Sequence, residues 1–220
     1  MAGIIEGIRG KLGRAHVETP YYEQAEAPEM LEVFWSEKGG PFFQQFQNLD
    51  LSSVVELACG RGRHTQQFIA RAGHVTLVDI NRENIEACRQ RFARVSGSLS
   101  YVVNDGASLS DLRSESHTAV FSYDAMVHFE ATDVIAYVYE IARVLKPGGR
   151  ALLHYSNNQQ FPEGSYEDCP RWRNFFSESM MRHFASRAGL RVLSSLVIPW
   201  PPNWAGTKDL DAVTLLQKPS

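Results

Sequence analysis

The feature that most constrains the fold is a regular alternation of short apolar runs with amphipathic patterns, which begins at residue 53. Five runs rich in apolar and β-branched residues predict strands, at 53–58, 74–80, 99–105, 118–124 and 149–156. Helical patterns lie between them, at 63–72, 81–95 and 131–145. Strands that alternate with helices favour an α/β fold whose sheet is mostly parallel.

The end of the chain departs from this alternation. A helical pattern at 177–188 ends before Gly189, and two further strand patterns follow at 190–200 and 209–219. Since no helical pattern separates the last two strands, we expect them to pair antiparallel. A parallel sheet that carries such a hairpin is not the usual arrangement of a dinucleotide-binding domain.

Size and charge limit the possible functions. We assign residues 1–50 to a helical N-terminal arm or lid, and 51–220 to one main domain with an insertion at about 157–176. The net charge of -3 disfavours binding of nucleic acid through bulk electrostatics. The N-terminal residues lack a long apolar core, which disfavours a secretory signal and stable membrane insertion. Three cysteines without a C-x-x-C pair indicate a cytoplasmic protein without a zinc site, and no pattern indicates an oligomeric state.

A turn with two glycines follows the first strand, in the sequence VVELACGRGRHTQQF at 54–68. Gly60 and Gly62 allow a sharp turn and a close approach of the backbone to a ligand. The helix that follows offers unpaired N–H groups at its start, and Glu56 is a hydrogen-bond acceptor beside the turn. Such turns also serve plain strand–helix packing, so this motif alone is weakly specific.

Acidic residues at the ends of the next two strands strengthen the functional interpretation. Asp79 ends the second strand, where a carboxylate can accept both hydroxyls of a ribose. Capping of the next helix is the alternative role, for which Asn81 is better placed. Asp105 and Gly106 end the third strand, where an acid can accept from an adenine amine or form a simple D-G turn. Because the ends of parallel strands share one edge of a sheet, these acids together predict a cofactor site.

These motifs resemble those of class I S-adenosylmethionine-dependent methyltransferases. VVELACGRG is similar to their first motif, LVDIN to the second, NDGASL to the adenine-contacting motif, FSYDAMVHF to the fourth-strand motif and VLKPGGRALL to the turn into the fifth strand. The resemblance covers residues 53–157, and it implies a three-layer, Rossmann-like, seven-stranded sheet, mostly parallel with an antiparallel C-terminal hairpin. It does not cover 1–50 or 158–176, which usually choose the substrate. Ala58 stands where the family usually has glycine, and many members have alanine there.

The resemblance implies S-adenosyl-L-methionine as the cofactor and a role for each matching residue. The expected cofactor contacts are Glu56, Ala58, Gly60, Arg63, Asp79, Ile80, Asp105, Gly106 and Ser122. Ala58 and Gly60 are expected against the methionine moiety, Asp79 at the ribose and Ile80 on the adenine face. Arg63 is expected either at the cofactor carboxylate or over the start of the helix.

The candidate catalytic residues follow the fourth and fifth strands. No N-P-P-Y or D-P-P-Y sequence occurs, which disfavours methylation of an amide or nucleobase nitrogen. Asp124 and His128 would share one face of a helical turn, so we predict that Asp124 orients His128 as a general base. A structural histidine is the alternative, and a metal site completed by Glu130 or His154 is a weaker one, so we assign no metal. His154 either faces the pocket or lies buried in the sheet.

Polar and aromatic residues outside the matched motifs suggest the acceptor. The candidate substrate-binding residues are Trp35, Asn157, Arg171, Trp172 and Arg173, with Lys38, Phe42 and Phe43 as further parts of a lid. Guanidinium and amide groups suit a polyhydroxylated or anionic acceptor. We therefore predict methyl transfer to an oxygen of a polar small molecule, most consistent with a sugar or glycan hydroxyl. The alternatives are an N-methyltransferase of an amine metabolite or natural product, a non-catalytic cofactor-binding protein, and a nicotinamide oxidoreductase, which the C-terminal hairpin disfavours.

Overall fold

The computed structural model describes residues 2–36, 40–95, 97–199 and 208–220, which form one seven-stranded sheet with helices on both faces. The helices are α1 (Ala2–Glu18), α2 (Tyr21–Ala25), α3 (Pro28–Trp35), α4 (Pro41–Phe46), α5 (Thr65–Phe68), α6 (Arg82–Arg91), α7 (Ala131–Val144) and α8 (Glu178–Arg187). The strands are β1 (Val54–Leu57), β2 (His74–Asp79), β3 (Ser98–Val103), β4 (His117–Met126), β5 (Leu145–Ser156), β6 (Arg191–Ile198) and β7 (Asp211–Gln217). Short 3-10 turns lie at Ile69–Arg71 and Pro170–Trp172.

The strand order is β3-β2-β1-β4-β5-β7-β6, and strands β1 to β5 pair in parallel. Strand β7 lies antiparallel between β5 and β6. The predicted seven-stranded sheet with an antiparallel C-terminal pair is confirmed. Because the chain proceeds from β1 toward β2 on one side and from β4 toward β5 on the other, a crevice opens at the carboxyl ends of β1 and β4.

Two hydrophobic layers cover the sheet, because successive residues of a strand point to opposite faces. Val55 and Leu153 pack with residues of α7 and α8 on one face. Their chain neighbours Val54 and Leu152 pack with aromatic residues of α3 and α4 on the other. Strands β1 and β4 are therefore buried on both sides and read as continuous apolar runs. Within the described ranges, no helix combines the length and the apolar character needed to cross a membrane.

Two local expectations need correction. Asn81 occupies the N-cap position of α6, but its side chain makes no capping hydrogen bond and donates instead to the carbonyl of Gly13 in α1, at 3.2 Å. Asp124 lies within β4 and not on a helical turn, so the predicted helical pairing with His128 is wrong. Strand β4 extends to Met126, beyond the end that the apolar pattern indicated, and Asp124 takes a left-handed backbone conformation with φ 55°.

Candidate functional site

The carboxyl ends of β1, β2 and β3 border a groove, called here the strand-end groove, whose lining includes Ala58, Gly60, Asp79, Ile80 and Gly106. Ala58 and Gly60 both take left-handed backbone conformations, with φ 56° and 53°. This conformation costs a non-glycine residue roughly 1–2 kcal/mol, so the turn at Ala58 is held by its surroundings. The backbone of residues 58–60 therefore borders the groove directly after the buried strand β1.

The Asp79 carboxylate holds this turn in place. Its Oδ2 accepts a hydrogen bond from the N–H of Gly60 at 2.9 Å. Its Oδ1 accepts from the N–H of Asn81 at 2.8 Å and from the amide of Asn84 at 3.1 Å. Burial raises the pKa of Asp79, and these hydrogen bonds oppose the rise. Since a carboxylate has about four acceptor sites, it can still accept from a ligand in the groove.

The far end of the groove is formed by Ile80 and Gly106, which has φ 80°. The Asp105 side chain turns into its own loop, where Oδ1 accepts from the N–H groups of Ala107 at 2.9 Å and Ser108 at 2.7 Å. The D-G turn, given above as the alternative role, is therefore formed. Direct contact between the Asp105 carboxylate and a cofactor stays a prediction.

Two of the predicted contacts lie behind the groove wall. Glu56 is buried in β1, and its carboxylate accepts a hydrogen bond from the hydroxyl of Thr65. Burial raises the pKa of Glu56 to about 8, although Thr65 and Arg63 act against the rise. Ser122 is fully buried in β4, and its hydroxyl has no hydrogen-bond partner among the described residues. Neither side chain lines the groove, so both support its wall in this structure.

Helix α1 lies across the groove with one face. The sequence analysis placed residues 1–50 in a helical arm or lid but named no residue of α1 for the site. The lining residues of this face are Ile8, Arg9, Leu12, Gly13 and His16. Arg9 donates to both carboxylate oxygens of Asp133, at 3.0 and 2.6 Å, and to the carbonyl of Asp105 at 3.0 Å. The lining positions recur at the spacing of one helical face, so the pattern of residues 8–16 carried a usable signal.

Tyr22 extends the same cover over the glycine turn. A Cβ atom at Gly60 would lie 2.8 Å from Cε1 of Tyr22, so glycine is required for this close approach. The Tyr22 hydroxyl accepts from the amide of Asn84 at 2.9 Å, and the guanidinium of Arg61 lies 4.9 Å from the Tyr22 ring centre. The N-terminal arm is thus fixed to the groove at its middle as well as at its far end.

Arg63 and Asp124 form a buried ion pair where β4 ends, with 2.7 Å between Nη2 and Oδ2. The hydroxyl of Tyr21 donates to the same carboxylate, and Arg63 also donates to the carbonyl of Ala25 at 3.0 Å. Burial opposes ionisation of Asp124, but Arg63 and Arg173 outweigh it and hold the pKa of this carboxyl well below its usual range. Asp124 therefore pairs with Arg63 and Tyr21 in place of His128.

His128 lies just beyond β4 and lines the groove. Its Nδ1 donates to the carbonyl of Trp172 at 2.9 Å, because a carbonyl can only accept. Burial, with additional effects of His16 and Arg173, lowers the pKa of His128 to about 3. The general-base role of His128 stays a prediction. Among the described residues, the partner that orients its ring is the Trp172 carbonyl and not an acid. Among the described residues, no group of three or more His, Cys, Asp or Glu side chains could hold a metal ion.

His154 is fully buried and links β4 to β7. Its Nδ1 accepts from the N–H of Asp124 at 3.1 Å, and its Nε2 lies 3.0 Å from Oδ2 of Asp211. Arg173 closes this network with two hydrogen bonds to the Asp211 carboxylate, at 2.9 and 2.8 Å. Of the two positions considered for His154, the structure has the one buried in the sheet, where it fixes the end of β4.

A second cavity of about 560 Å³ adjoins the groove. Its described lining residues are His16, Thr19, Pro20, Tyr21, Gln24, Ala25, Met30, Phe34, Arg63, Asp124, His128, Arg171, Trp172 and Arg173. Both spaces are lined by His16, Tyr21, Arg63, Asp124 and His128, so the two meet at the end of β4. Three of the five predicted substrate-binding residues, Arg171, Trp172 and Arg173, therefore lie together in a cavity of ligand size.

The other two predicted substrate-binding residues lie elsewhere. Trp35 packs among core aromatic rings, with its ring centre 4.9 Å from that of Phe46, and its indole N–H donates to Nδ1 of His64 at 2.9 Å. Asn157 donates to the carbonyl of Asp209 at 2.9 Å and accepts from the N–H of Glu178 at 2.9 Å. Neither lines the second cavity, and Lys38 lies outside the described residues.

Similarity to known proteins is concentrated in the middle of the chain, which supplies most of the groove and part of the cavity. Residues 54–149 match a family model described as a methyltransferase domain. A ubiquinone/menaquinone biosynthesis C-methyltransferase of Pseudomonas paraeruginosa is 32% identical over 107 residues, which are 46% of this chain and 40% of that protein. A fatty-acid O-methyltransferase of Mycolicibacterium smegmatis is 27% identical over 138 residues, which are 61% of this chain and 46% of that protein. The chain thus spans less than half the length of these curated relatives.

Solved structures show the same fold over nearly the whole chain. An S-adenosylmethionine-dependent methyltransferase from Clostridium acetobutylicum has a TM-score of 0.66 at 13% identity, covering 92% of this chain and 100% of that one. The PH0226 protein from Pyrococcus horikoshii has a TM-score of 0.63 at 16% identity, covering 93% of each chain. Together with the strand order, these findings show that residues 54–149, somewhat less than half of the chain, are similar to a methyltransferase domain, and that the chain has the fold of S-adenosylmethionine-dependent methyltransferases.

Proposed function

We propose that the protein transfers a methyl group from S-adenosyl-L-methionine to an oxygen atom of a small molecule bound in the second cavity. The observation that carries this proposal is the junction of the two spaces at the end of β4, where Tyr21, Arg63, Asp124 and His128 line both. Methyl transfer is an in-line displacement, which needs two ligands held end to end. A groove for the cofactor that opens into a cavity for an acceptor supplies this arrangement.

The residues of the strand-end groove fit the cofactor. Asp79 offers an acceptor to the ribose. Gly60 and Gly106 let the side chains of Tyr22 and Arg9 lie directly against the backbone of the groove, where a Cβ atom would collide with them. Ile80 offers an apolar surface for a purine ring. When bound, S-adenosyl-L-methionine supplies a methyl group activated by an adjacent sulfonium. The α1 face with Arg9 would then cover the cofactor and exclude water, as closing segments do in many enzymes.

The chain's own contribution at the junction is positioning and electrostatics. Arg63 and the Tyr21 hydroxyl hold Asp124, and His154 holds the backbone N–H of the same residue. The pKa of the Asp124 carboxyl lies well below its usual range, so the group stays negatively charged. It lines the part of the groove where we expect the sulfonium. A fixed carboxylate near this cation favours cofactor binding. The oxygen target follows the sequence-based prediction and the name of the Mycolicibacterium relative.

The sugar or glycan acceptor of the sequence analysis is less well supported. The cavity walls contain Pro20, Met30, Phe34 and Trp172, and the amide side chain of Asn157 is engaged elsewhere. These walls favour an acceptor with more apolar surface than a sugar has. Carbon methylation is a second candidate, because the 32% identical relatives are named as C-methyltransferases.

Titration calorimetry with S-adenosylhomocysteine and with NADH tests the cofactor half of the proposal. We expect saturable binding of S-adenosylhomocysteine and none of NADH, with displacement of the former by S-adenosyl-L-methionine. Transfer of an isotope-labelled methyl group to a panel of acids, alcohols, amines and quinols tests the acceptor half. Binding of NADH without S-adenosylhomocysteine would overturn the proposal, and labelling confined to carbon or nitrogen would overturn the oxygen target.

A further inference from the structure

Two histidine rings lie side by side where the strand-end groove meets the second cavity. His128 follows β4, and His16 belongs to the last turn of α1 in the N-terminal arm. Their ring centres are 4.6 Å apart, and both rings line both spaces. The Trp172 ring lies edge-on to His16, with 5.4 Å between the ring centres. The sequence analysis considered His128 as a general base and did not name His16, because the two are distant in the chain.

The two rings are held in the same tautomer. Nδ1 of His16 lies 3.0 Å from the carbonyl oxygen of Leu12, and Nδ1 of His128 lies 2.9 Å from that of Trp172. A carbonyl oxygen can only accept, so both Nδ1 atoms carry the hydrogen, and Nε2 of each neutral imidazole keeps a lone pair. Among the described residues, neither Nε2 has a hydrogen-bond partner, and neither is sealed inside the protein. Two proton acceptors thus remain open where the two spaces meet.

The loop at 170–174 fixes the orientation of His128 from two sides. The Trp172 carbonyl accepts from the ring, and the side-chain amide of Asn174 donates to the His128 carbonyl at 3.4 Å. Arg171 and Trp172 both take left-handed backbone conformations, with φ 52° and 58°, which are uncommon for residues other than glycine. Such backbone conformations persist where the surroundings enforce them, often at functional sites. The position of the Trp172 carbonyl, and with it that of His128, is therefore tightly defined.

The N-terminal arm holds His16 in a comparable way. Two helical turns before His16, Arg9 pairs with Asp133 of α7 at 2.6 Å. The carbonyl of Gly13 accepts from the side-chain amide of Asn81 at 3.2 Å. Because these contacts join α1 to the ends of other elements, His16 is presented to the junction by a fixed helix.

The surroundings favour the neutral form of both rings. Burial lowers the pKa of His16 and that of His128. The Arg173 guanidinium lowers both further, and the Asp124 carboxylate acts in the opposite direction. Two charged rings at this distance would repel each other, so the pair takes up one proton and resists a second. At neutral pH both Nε2 atoms are thus available as acceptors.

We propose that His16 is a catalytic residue, which forms together with His128 a paired general base for an acceptor hydroxyl. This inference rests on the proposed function and adds a residue of the arm to its chemistry. The bond that forms joins the hydroxyl oxygen to the methyl carbon. The bond that breaks joins that carbon to sulfur, and its electron pair returns to sulfur. The hydroxyl proton moves to one of the two Nε2 atoms and then to water, so the products are a methyl ether and a neutral thioether.

His16 supplies what His128 alone lacks. An efficient general base has a pKa near the working pH, whereas burial lowers the pKa of His128 to about 3. His16 is partly exposed and His128 is buried, so desolvation opposes protonation less at His16. The partly exposed ring also borders the solvent to which the proton finally passes.

The protonation of the pair is tested in protein saturated with S-adenosylhomocysteine. Nitrogen-labelled histidine is followed by NMR from about pH 8 downward, with His16→Asn and His128→Asn to assign the signals. We expect both Nε2 atoms to be unprotonated at the start of the titration. Replacing His16 should raise the pKa of His128, because the His16 ring lowers it in the parent protein. A protonated Nε2 in either ring at about pH 8 overturns the proposal.

Transfer of a labelled methyl group to phenol, hydroquinone and octanol tests the catalytic role. The asparagine in His16→Asn or His128→Asn keeps an amide donor toward the carbonyl and loses the Nε2 acceptor. Each variant should lower kcat at least about 100-fold and leave the affinity for S-adenosylhomocysteine unchanged. The double variant should lose little more than either single one, because the two rings act as a unit. His16→Gln, a second variant, keeps a hydrogen-bond acceptor without a base and should lose as much.

The pH dependence separates a base from a structural side chain. A phenol has an ordinary pKa of about 10, so without a base the rate depends on phenolate and should rise about tenfold per pH unit near neutrality. The parent protein should show a much weaker rise, as should the control His183→Asn on exposed α8. Every variant retains the other titratable or charged side chains of the cavity lining, which are Tyr21, Arg63, Asp124, Arg171 and Arg173.

The outcomes separate this inference from the proposed function. If both His16 variants methylate hydroxyl compounds as fast as the parent protein, or keep its pH profile, the paired base is wrong and methyl transfer stands. If the parent protein methylates carboxylates and none of the three hydroxyl compounds, the inference also fails, because a carboxylate needs no base. If S-adenosylhomocysteine does not bind at all, the proposed function itself fails.

Discussion

The strand-end groove and the second cavity are held together by different kinds of contacts. In the groove, Asp79 accepts from N–H groups of Gly60, Asn81 and Asn84, which lie 19, 2 and 5 residues away along the chain. In the cavity, Arg173 pairs with Asp211 across 38 residues and Arg63 with Asp124 across 61. The glycine turn of the groove thus depends on hydrogen bonds between neighbouring strand ends. The cavity depends on buried ion pairs between distant segments, as does the cover of the groove, where Arg9 pairs with Asp133.

The two kinds of contact respond differently to mutation. Loss of a buried hydrogen-bond partner leaves a polar group without its bond, at about 1–3 kcal/mol. Loss of one partner of a buried ion pair leaves an uncompensated charge, at about 3–5 kcal/mol. The cavity should therefore contribute more to the stability of the chain, and the groove more to the affinity for cofactor.

Replacing Arg173 should give the largest loss of stability. Arg173→Met leaves the buried Asp211 carboxylate without its guanidinium partner, while His154 still lies against it. The free energy of unfolding should therefore fall by about 3–5 kcal/mol. Urea denaturation followed by circular dichroism measures this. The second change Asp211→Asn, made in the same chain, should recover part of the loss because it removes the stranded charge. Arg187→Met serves as the exposed control, and an equal loss in that control would contradict the role given to the ion pair.

Replacing Asp79 should mainly affect the groove. Asp79→Ala removes three hydrogen bonds and the acceptor proposed for the ribose. We expect the affinity for S-adenosylhomocysteine to fall at least about 100-fold and the free energy of unfolding by about 1–3 kcal/mol. Calorimetry and denaturation are run side by side, with Asp111→Ala as an exposed control. An unchanged affinity for S-adenosylhomocysteine would contradict the role of the Asp79 carboxylate as the acceptor for the ribose.

The same difference explains what the sequence could predict. Asp79, Gly60 and Ile80 lie at strand ends that the apolar runs identify, so their common location at one edge follows from topology. The ion pairs Arg63–Asp124 and Arg173–Asp211 join segments whose packing no local pattern encodes.

Spacing along the chain was misleading in the second region. A separation of four residues predicts that Asp124 and His128 share one face of a helical turn. In the structure Asp124 belongs to strand β4, so the two side chains do not pair in this way. The spacing also gave no sign that Trp35 belongs to the core and not to a lid, since an aromatic residue in a helical pattern fits both places. Sequence alone therefore predicted the cofactor region more completely than the acceptor region.

Glu56 lies behind the groove and His128 lies beside the cavity, and their contributions to the free energy of unfolding should depend on pH in opposite directions. Burial raises the pKa of Glu56 from 4.5 to about 8. The folded chain then keeps a proton that the unfolded chain releases, so this contribution to stability is complete below pH 4.5 and is lost as the pH rises through 8. Glu56→Gln, which is always neutral, should remove a slope of at most about 1.4 kcal/mol per pH unit between these limits. Denaturation at several pH values measures it, and parallel curves for both proteins would contradict the raised pKa.

His128 governs the cavity side. Burial lowers the pKa of His128 from 6.5 to about 3. Between these pH values His128 is protonated in the unfolded chain and neutral in the folded chain. The resulting stability is complete above pH 6.5 and is lost as the pH falls toward 3, at up to about 1.4 kcal/mol per unit. Between pH 4.5 and 6.5 this slope opposes that of Glu56. His128→Asn keeps an amide donor toward the Trp172 carbonyl and should make the protein less sensitive to acid, by about 1 kcal/mol between pH 6.5 and 5.5. An unchanged acid slope would contradict the buried neutral imidazole.

The smallest expected effect concerns Trp35, which the sequence placed in the acceptor site and the structure places in the core. Trp35→Phe removes the indole N–H that donates to His64, but a ring remains to pack against Phe46 and Phe68. The free energy of unfolding should fall by about 1 kcal/mol, the contribution of one ordinary hydrogen bond. The affinity for S-adenosylhomocysteine and the rate of methyl transfer should not change, because Trp35 lines neither space. A loss of methyl transfer at unchanged stability and cofactor affinity would restore Trp35 to the acceptor site and show that the cavity reaches further toward α3 than its present lining.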